Sequence, residues 1–121
     1  KHEFSVVVVP GVTSVTACAA AHLHPLVARN DTMTIVPAPT DNATLRDAIL
    51  AADALAIIKL GRHMPRIRAL LNELGLAEST LYVSHASLDI QRSCHLSDAP
   101  DDAPYFSILL IYRGKDPWIT R

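Results

Sequence analysis

The apolar residues of this chain fall into short runs that are separated by turn-forming residues. The first run, residues 4–9, contains four consecutive valines. Valine is β-branched, and a segment that is apolar toward both sides suits a strand covered on both faces of a sheet. Pro10 and Gly11 end this run, and Thr13 or Ser14 can cap a helix behind it. The pattern therefore predicts a buried strand, a tight turn and a helix, which is where open α/β sheets bind ligands.

Helix and strand signals then alternate as far as about residue 85. One alanine-rich stretch and two capped stretches with an apolar face predict helices at residues 14–21, 43–51 and 65–74. Pro65 suits a first helical turn, and Gly75 suits a helix end. Short apolar runs predict strands at residues 33–36, 54–60 and 81–83.

The pattern changes in the last third of the chain. Residues 89–96 have the composition of a β-ribbon, residues 98–104 form an acidic turn, and residues 105–112 are a long apolar run suited to a central strand. Strands that follow one another without a helix between them pair antiparallel. We therefore expect an α/β fold with a mixed parallel and antiparallel sheet flanked by helices.

Composition and charge narrow the functional class. Half of the 121 residues are apolar and 19% are charged, which excludes a disordered chain. A net charge of −1 gives no electrostatic reason to expect nucleic acid as a partner, and no apolar run is long enough for a membrane span. Cys18 and Cys94 have no metal or redox spacing, and buried thiols in a reducing compartment are favoured over a disulfide. We expect a cytoplasmic protein without a metal site, since the six histidines show no ligand spacing.

The beginning of the chain raises an expectation about its completeness. The sequence starts at Lys1 and enters the valine run almost at once. A strand that is apolar on both sides needs a sheet to receive it. We therefore expect that this sheet lies upstream and that the chain is the later part of a two-domain enzyme.

Three segments of the chain resemble a known family. Val-Pro-Gly-Val-Thr-Ser at residues 9–14 resembles a signature of the tetrapyrrole methylases, the S-adenosylmethionine enzymes that methylate precorrins and uroporphyrinogen. Lys-Leu-Gly-Arg-His-Met-Pro at residues 59–65 resembles a segment of one branch, the precorrin-2 C20-methyltransferases. Ala-Pro-Tyr-Phe-Ser-Ile-Leu-Leu at residues 103–110 is similar to a strand of that branch. The three segments occur in the family's order, and the resemblance covers the whole chain against the C-terminal half of a member.

The resemblance implies a division of the chain and a function. Residues 1–31 would be the last strand and helix of an N-terminal domain, and residues 32–121 the C-terminal α/β domain. The intact protein would transfer a methyl group from S-adenosylmethionine to C20 of precorrin-2, or of its cobalt form, in cobalamin biosynthesis. Members of the family are homodimers, so the resemblance implies a homodimer as well. We expect no catalysis from these 121 residues alone, because the other domain would supply about half of the cofactor contacts.

The resemblance also implies a set of cofactor-binding residues, with no catalytic acid or base among them. Thr13 would contact the cofactor from the first domain, and Lys59 and Leu60 would pack on it at a strand end. Ala86 would leave room for the adenine, whose edge the main chain of Phe106, Ser107 and Ile108 would bracket. Without the resemblance, Thr13 is better interpreted as a helix cap, and Lys59 as a side chain that extends into solvent.

The chain departs from the family pattern after the third predicted strand. Residues 84–87 read Ser-His-Ala-Ser, where the family usually has Glu-Arg-Ala/Gly-Thr. His85 thus replaces an arginine and lacks its permanent charge. Two alternatives stay open: another precorrin methylase of the same superfamily, and a non-catalytic α/β module for dimerisation or ligand binding.

Overall fold

The structure is a computed structural model that describes residues 3–115. Its helices are α1 (Ser14–Ala21), α2 (Asn42–Ala51) and α3 (Met64–Glu73). Its strands are β1 (Met33–Pro37), β2 (Ala54–Ile58), β3 (Thr80–Ser84), β4 (Arg92–His95) and β5 (Ser107–Tyr112). Short 3₁₀ turns occur at Gly61–His63, Ala77–Ser79 and Leu96–Asp98. The predicted helices and the later strands are confirmed, with small shifts at their ends.

The five strands form one sheet in the order β1-β2-β5-β3-β4. β1 and β2 are parallel, and every other neighbouring pair is antiparallel. The last strand in sequence, β5, thus lies at the centre, and all six of its residues are buried. The predicted mixed sheet and the central position of this apolar run are confirmed.

The two faces of the sheet pack against different helices, because side chains alternate along each strand. Leu55, Tyr82 and Leu109 face a large core that α2 and α3 cover. Ala56, Val83, Ile108 and Leu110 face α1, which contributes Val15, Cys18 and Ala19 to a second, smaller core. The sheet thus lies between α2 and α3 on one face and α1 on the other.

Local sequence signals set the ends of the helices. Asp41 accepts a hydrogen bond from the Thr44 amide at 3.0 Å and so caps α2, and Pro65 occupies the first turn of α3. Gly75 follows α3 with a φ of +71°, a conformation that favours glycine. α2 and α3 have ten residues each, and no helix among residues 3–115 is long and apolar enough to cross a membrane.

The prediction of a buried strand at the start of the chain is wrong for this structure. Val6, Val7, Val8 and Val9 are between 78% and 87% exposed, and residues 3–13 form no strand. A strand is buried only where a sheet accepts its backbone hydrogen bonds, and residues 3–13 pair with none of the five strands. The expectation that it belongs to the sheet of another domain stays a prediction.

Replacement of one core residue, Tyr82, is expected to increase the stability of the fold. Tyr82 is fully buried, and its hydroxyl has no hydrogen-bond partner among the described residues. A buried hydroxyl without a partner costs about 1–3 kcal/mol, so Tyr82→Phe is expected to raise the free energy of unfolding by about 1 kcal/mol. Urea unfolding measures this change.

The matched control is Tyr112→Phe. The Tyr112 hydroxyl donates a hydrogen bond to Asp31 at 2.7 Å, so its loss should lower the free energy of unfolding by about 1 kcal/mol. If Tyr82→Phe destabilises the chain as much as Tyr112→Phe does, the Tyr82 hydroxyl has a partner and the prediction is wrong.

Candidate functional site

A cleft of about 580 Å³ lies at the edge of the sheet where β2 and β3 end and β5 begins. These three ends meet because β5 is antiparallel to both of its neighbours. The N-terminal half of α1 closes the other side. The cleft is lined by Val12, Ser14, Ala17, Cys18, Ile58, Lys59, His85, Ala86, Ser87, Leu88, Tyr105, Phe106, Ser107 and Ile108.

The wall from α1 follows from helical spacing. Ser14, Ala17 and Cys18 are three and four residues apart, which places them on one face of the helix. Thr13 precedes the helix, and its hydroxyl accepts a hydrogen bond from the Thr16 amide at 3.3 Å. The Thr13 side chain therefore caps α1, while its neighbours Val12 and Ser14 line the cleft.

Lys59 and Leu60, the two predicted cofactor-binding residues at the end of β2, lie on different sides of the sheet. Lys59 has a φ of +60°, a left-handed conformation that ends the extended course of β2. Lys59 stays exposed and lines the cleft, whereas Leu60 is fully buried in the core beneath α3. The side chain of Leu60 is thus on the opposite side of the sheet from the cleft.

Backbone hydrogen bonds bring the ends of β3 and β5 together. The His85 amide donates to the Phe106 carbonyl at 2.8 Å, which extends the β3–β5 ladder by one step. The Ser107 hydroxyl donates to the Pro104 carbonyl and so fixes the turn that enters β5. Ala86 is thereby placed beside the first residues of β5, where it lines the cleft.

Left-handed backbone conformations concentrate at this cleft. Among residues 3–115, five non-glycine residues have a positive φ, and three of them line the cleft. They are Lys59 (60°), His85 (49°) and Ser87 (69°). Such conformations are disfavoured for residues with a Cβ, and they tend to cluster at functional sites. This concentration makes the cleft a candidate binding site.

The chemistry of the lining favours binding over acid–base catalysis. Lys59 is the only permanent cation that lines the cleft, and no carboxylate lines it among the described residues. Burial raises the pKa of the Cys18 thiol, so this group is a neutral side chain near pH 7. Within residues 3–115 there is no group of three or more His, Cys, Asp or Glu side chains that could hold a metal ion. The remaining surface is largely apolar and suits a small organic ligand.

Five of the seven predicted cofactor-binding residues line this one cleft, although they are far apart in sequence. These are Lys59, Ala86, Phe106, Ser107 and Ile108. Thr13 and Leu60 are adjacent to it, with side chains directed elsewhere. The roles of all seven as cofactor contacts stay predictions.

Sequence reasoning missed two parts of the lining. The first is the face of α1 formed by Ser14, Ala17 and Cys18, which the helical period of small residues could have indicated. The second is the pair of ring side chains His85, which is partly buried, and Tyr105, which is exposed; no periodic signal exists for them because both lie in loops.

Residues 1–98 match the model of a protein family described as tetrapyrrole (corrin/porphyrin) methylases. Among curated proteins, the cobalamin biosynthesis protein CobIJ of Mycobacterium tuberculosis is 36% identical over 114 residues, which are 93% of this chain and 22% of that protein. The precorrin-2 C(20)-methyltransferase of a Sinorhizobium species is 32% identical over 116 residues, 95% of this chain and 47% of that enzyme. The chain thus spans less than half the length of these relatives.

Two solved structures have the same fold. The crystal structure of the methyltransferase CobJ superposes with a TM-score of 0.66 at 20% identity, over 85% of this chain and 48% of that one. The uroporphyrin-III C-methyl transferase of Thermus thermophilus, solved with S-adenyl homocysteine, superposes with a TM-score of 0.58 at 24% identity, over 85% of this chain and 51% of that one.

Proposed function

This chain belongs to the tetrapyrrole (corrin/porphyrin) methylase family, and from that premise we propose that it is the C-terminal part of a methyltransferase that methylates C20 of precorrin-2. The relative from Sinorhizobium, named for that reaction, supports the choice of substrate. The segments at residues 59–65 and 103–110 support the same branch. The cobalt form of precorrin-2 is an equally suitable acceptor, and a neighbouring precorrin methylase is the alternative within the family.

The cleft fits the adenosyl part of S-adenosylmethionine. Its volume of about 580 Å³ lies within the range of small-molecule sites, and its lining is mainly apolar with backbone groups at the strand ends. The related fold of the uroporphyrin-III C-methyl transferase, which was solved with S-adenyl homocysteine, supports this choice of cofactor. The observation that carries the proposal is that five residues matched to the family motifs converge on this cleft.

The residues of the cleft have separate roles in this proposal. The main chain of Phe106, Ser107 and Ile108 bounds the adenine edge, and Ala86 leaves room for its ring. Lys59 and the backbone beside Leu60 form the wall at the end of β2. Thr13 fixes the start of α1, whose small residues then allow close approach.

The reaction makes modest chemical demands on these residues. When bound, the sulfonium of S-adenosylmethionine supplies an electrophilic methyl group. The protein has to hold the acceptor carbon in line with that group and to keep water out of the site. A cleft with few ionisable groups, as this one has, is suited to positioning and to exclusion of water.

The organisation of the whole protein is part of the proposal. We place residues 1–31 in a first domain and residues 32–121 in a second, with a homodimer as the working assembly. The exposed valines at residues 6–9 support this arrangement, because a patch of that kind is usually covered by another surface. A cytoplasmic location is included as well, and it is supported by two free thiols, Cys18 and Cys94.

Calorimetric titration with S-adenosylhomocysteine tests the shared site. The full-length protein that contains this sequence is expected to bind with a micromolar dissociation constant. Residues 1–121 alone are expected to bind no tighter than high micromolar, about −6 kcal/mol or weaker, because half of the contacts are missing.

The reaction itself is tested by incubating the full-length protein with S-adenosylmethionine and precorrin-2. The expected product is heavier by one methylene unit and carries the new methyl group at C20. Methylation at another carbon would contradict the C20 assignment, and a full-length protein that binds no S-adenosylhomocysteine would contradict the proposed function.

A further inference from the structure

Three aromatic rings form a row at the mouth of the cleft. The Phe106 ring lies between the other two, with its centroid 5.4 Å from that of Tyr105 and 6.4 Å from that of His85. Tyr105 and Phe106 are 62% and 69% exposed. We call these three side chains the aromatic row.

The residues that follow the aromatic row in sequence are much more buried than the row itself. Ser107 and Ile108 are only 2% and 4% exposed, although they come directly after Phe106. One short segment therefore offers its buried part to the floor of the cleft and its exposed rings to the entrance.

Exposing these rings to water is unfavourable, which suggests that a partner covers them. Aromatic side chains have a large apolar surface, and neighbouring exposed apolar groups on a folded protein mark interaction sites. Leu88 and Ile90, also exposed, belong to the same loop after β3 as His85, and Leu88 lines the cleft as well. The entrance is thus an apolar surface, and because the Tyr105 and Phe106 rings are 81° apart, a flat ligand stacked on one ring meets the edge of the other.

We propose that the aromatic row binds the face of the tetrapyrrole acceptor, an inference that rests on the proposed function. The acceptor is a wide conjugated ring system, and stacking on aromatic side chains gives it attraction without fixed hydrogen bonds. Its carboxylate substituents meet no opposing carboxylate in the described lining, where Lys59 provides a positive charge. Tyr105 and Phe106 hold the acceptor, while the main chain of residues 106–108 faces the cofactor.

The test uses the full-length protein and two probes. Uroporphyrin III, an air-stable tetrapyrrole polycarboxylate, is titrated by fluorescence, and S-adenosylhomocysteine by calorimetry. Tyr105→Ala is expected to raise the dissociation constant of uroporphyrin III at least about fivefold and that of S-adenosylhomocysteine less than about twofold. Tyr105→Phe keeps the ring and should bind uroporphyrin III as the parent protein does.

Leu50→Ala provides the matched control. Leu50 is an exposed apolar side chain on α2, the helix on the other face of the sheet from α1, and its removal should leave both affinities unchanged. Unchanged uroporphyrin affinity in Tyr105→Ala would overturn the inference. An equal loss of both affinities would also overturn it, because the aromatic row would then bind the cofactor. A change in sedimentation with both affinities unchanged would overturn it too, because the row would then be a contact between protein surfaces. A parent protein that binds neither probe would overturn the proposed function itself.

Discussion

Ala86→Leu is expected to raise the dissociation constant of S-adenosylhomocysteine in the full-length protein at least about tenfold, roughly 1.4 kcal/mol. Ala86 is half-buried where the loop after β3 lines the cleft beside the start of β5. Its φ is not in the left-handed region, so the backbone tolerates a larger side chain. The three added carbon atoms would occupy the space that we assign to the adenine. Equilibrium binding of S-adenosylhomocysteine is the measurement.

Three further variants make this experiment specific. Ala69→Leu adds the same atoms at an exposed position of α3 and should leave binding unchanged. Ser107→Ala should be mild, since the Ser107 hydroxyl is already bound to the Pro104 carbonyl. Thr13→Val should have an effect between those of Ser107→Ala and Ala86→Leu, because it removes one capping hydrogen bond worth on the order of 1 kcal/mol. If Ala86→Leu binds like the parent while Ser107→Ala is strongly impaired, our placement of the adenine is wrong.

Arg66→Met is expected to lower the free energy of unfolding of this chain by about 2–4 kcal/mol. From α3, the Arg66 guanidinium donates to the carbonyls of Ala38 and Thr40, at 2.5 and 3.2 Å, and to the Asn42 side chain at 2.5 Å. Ala38 is fully buried, so its carbonyl would lose a partner that water cannot easily replace. Methionine keeps the apolar stem and removes only the donors. Urea unfolding measures the loss.

Arg46→Met is the control for this prediction. Arg46 forms a 3.0 Å ion pair with Glu73, and the two side chains are 37% and 63% exposed to solvent. Exposed pairs contribute little, so the variant should lose less than about 0.5 kcal/mol. Equal losses in the two arginine variants would mean that the contacts between α3 and the loop after β1 do not stabilise the fold as we argue.

Local signals in the sequence were sufficient to predict most elements of the described fold. The apolar stripe of α3, its proline and its terminal glycine all act within a few residues, so they require no knowledge of the rest of the chain. The same holds for the apolar run of β5, which reads as a central strand because every one of its residues can be buried. The three family-like segments were also visible, since each is a continuous stretch.

The tertiary structure alone decided which residues share a site and which face each one occupies. Residues 6–9 have the composition of a buried strand, yet burial depends on a neighbouring strand that the sequence of the segment cannot provide. Leu60 follows Lys59 directly, and a left-handed turn at Lys59 sends the two side chains to opposite faces. The cleft joins α1 to three strand ends, and its aromatic row comes from two loops. Such contacts depend on the order of strands in the sheet, and local periodicity carries no information about that order.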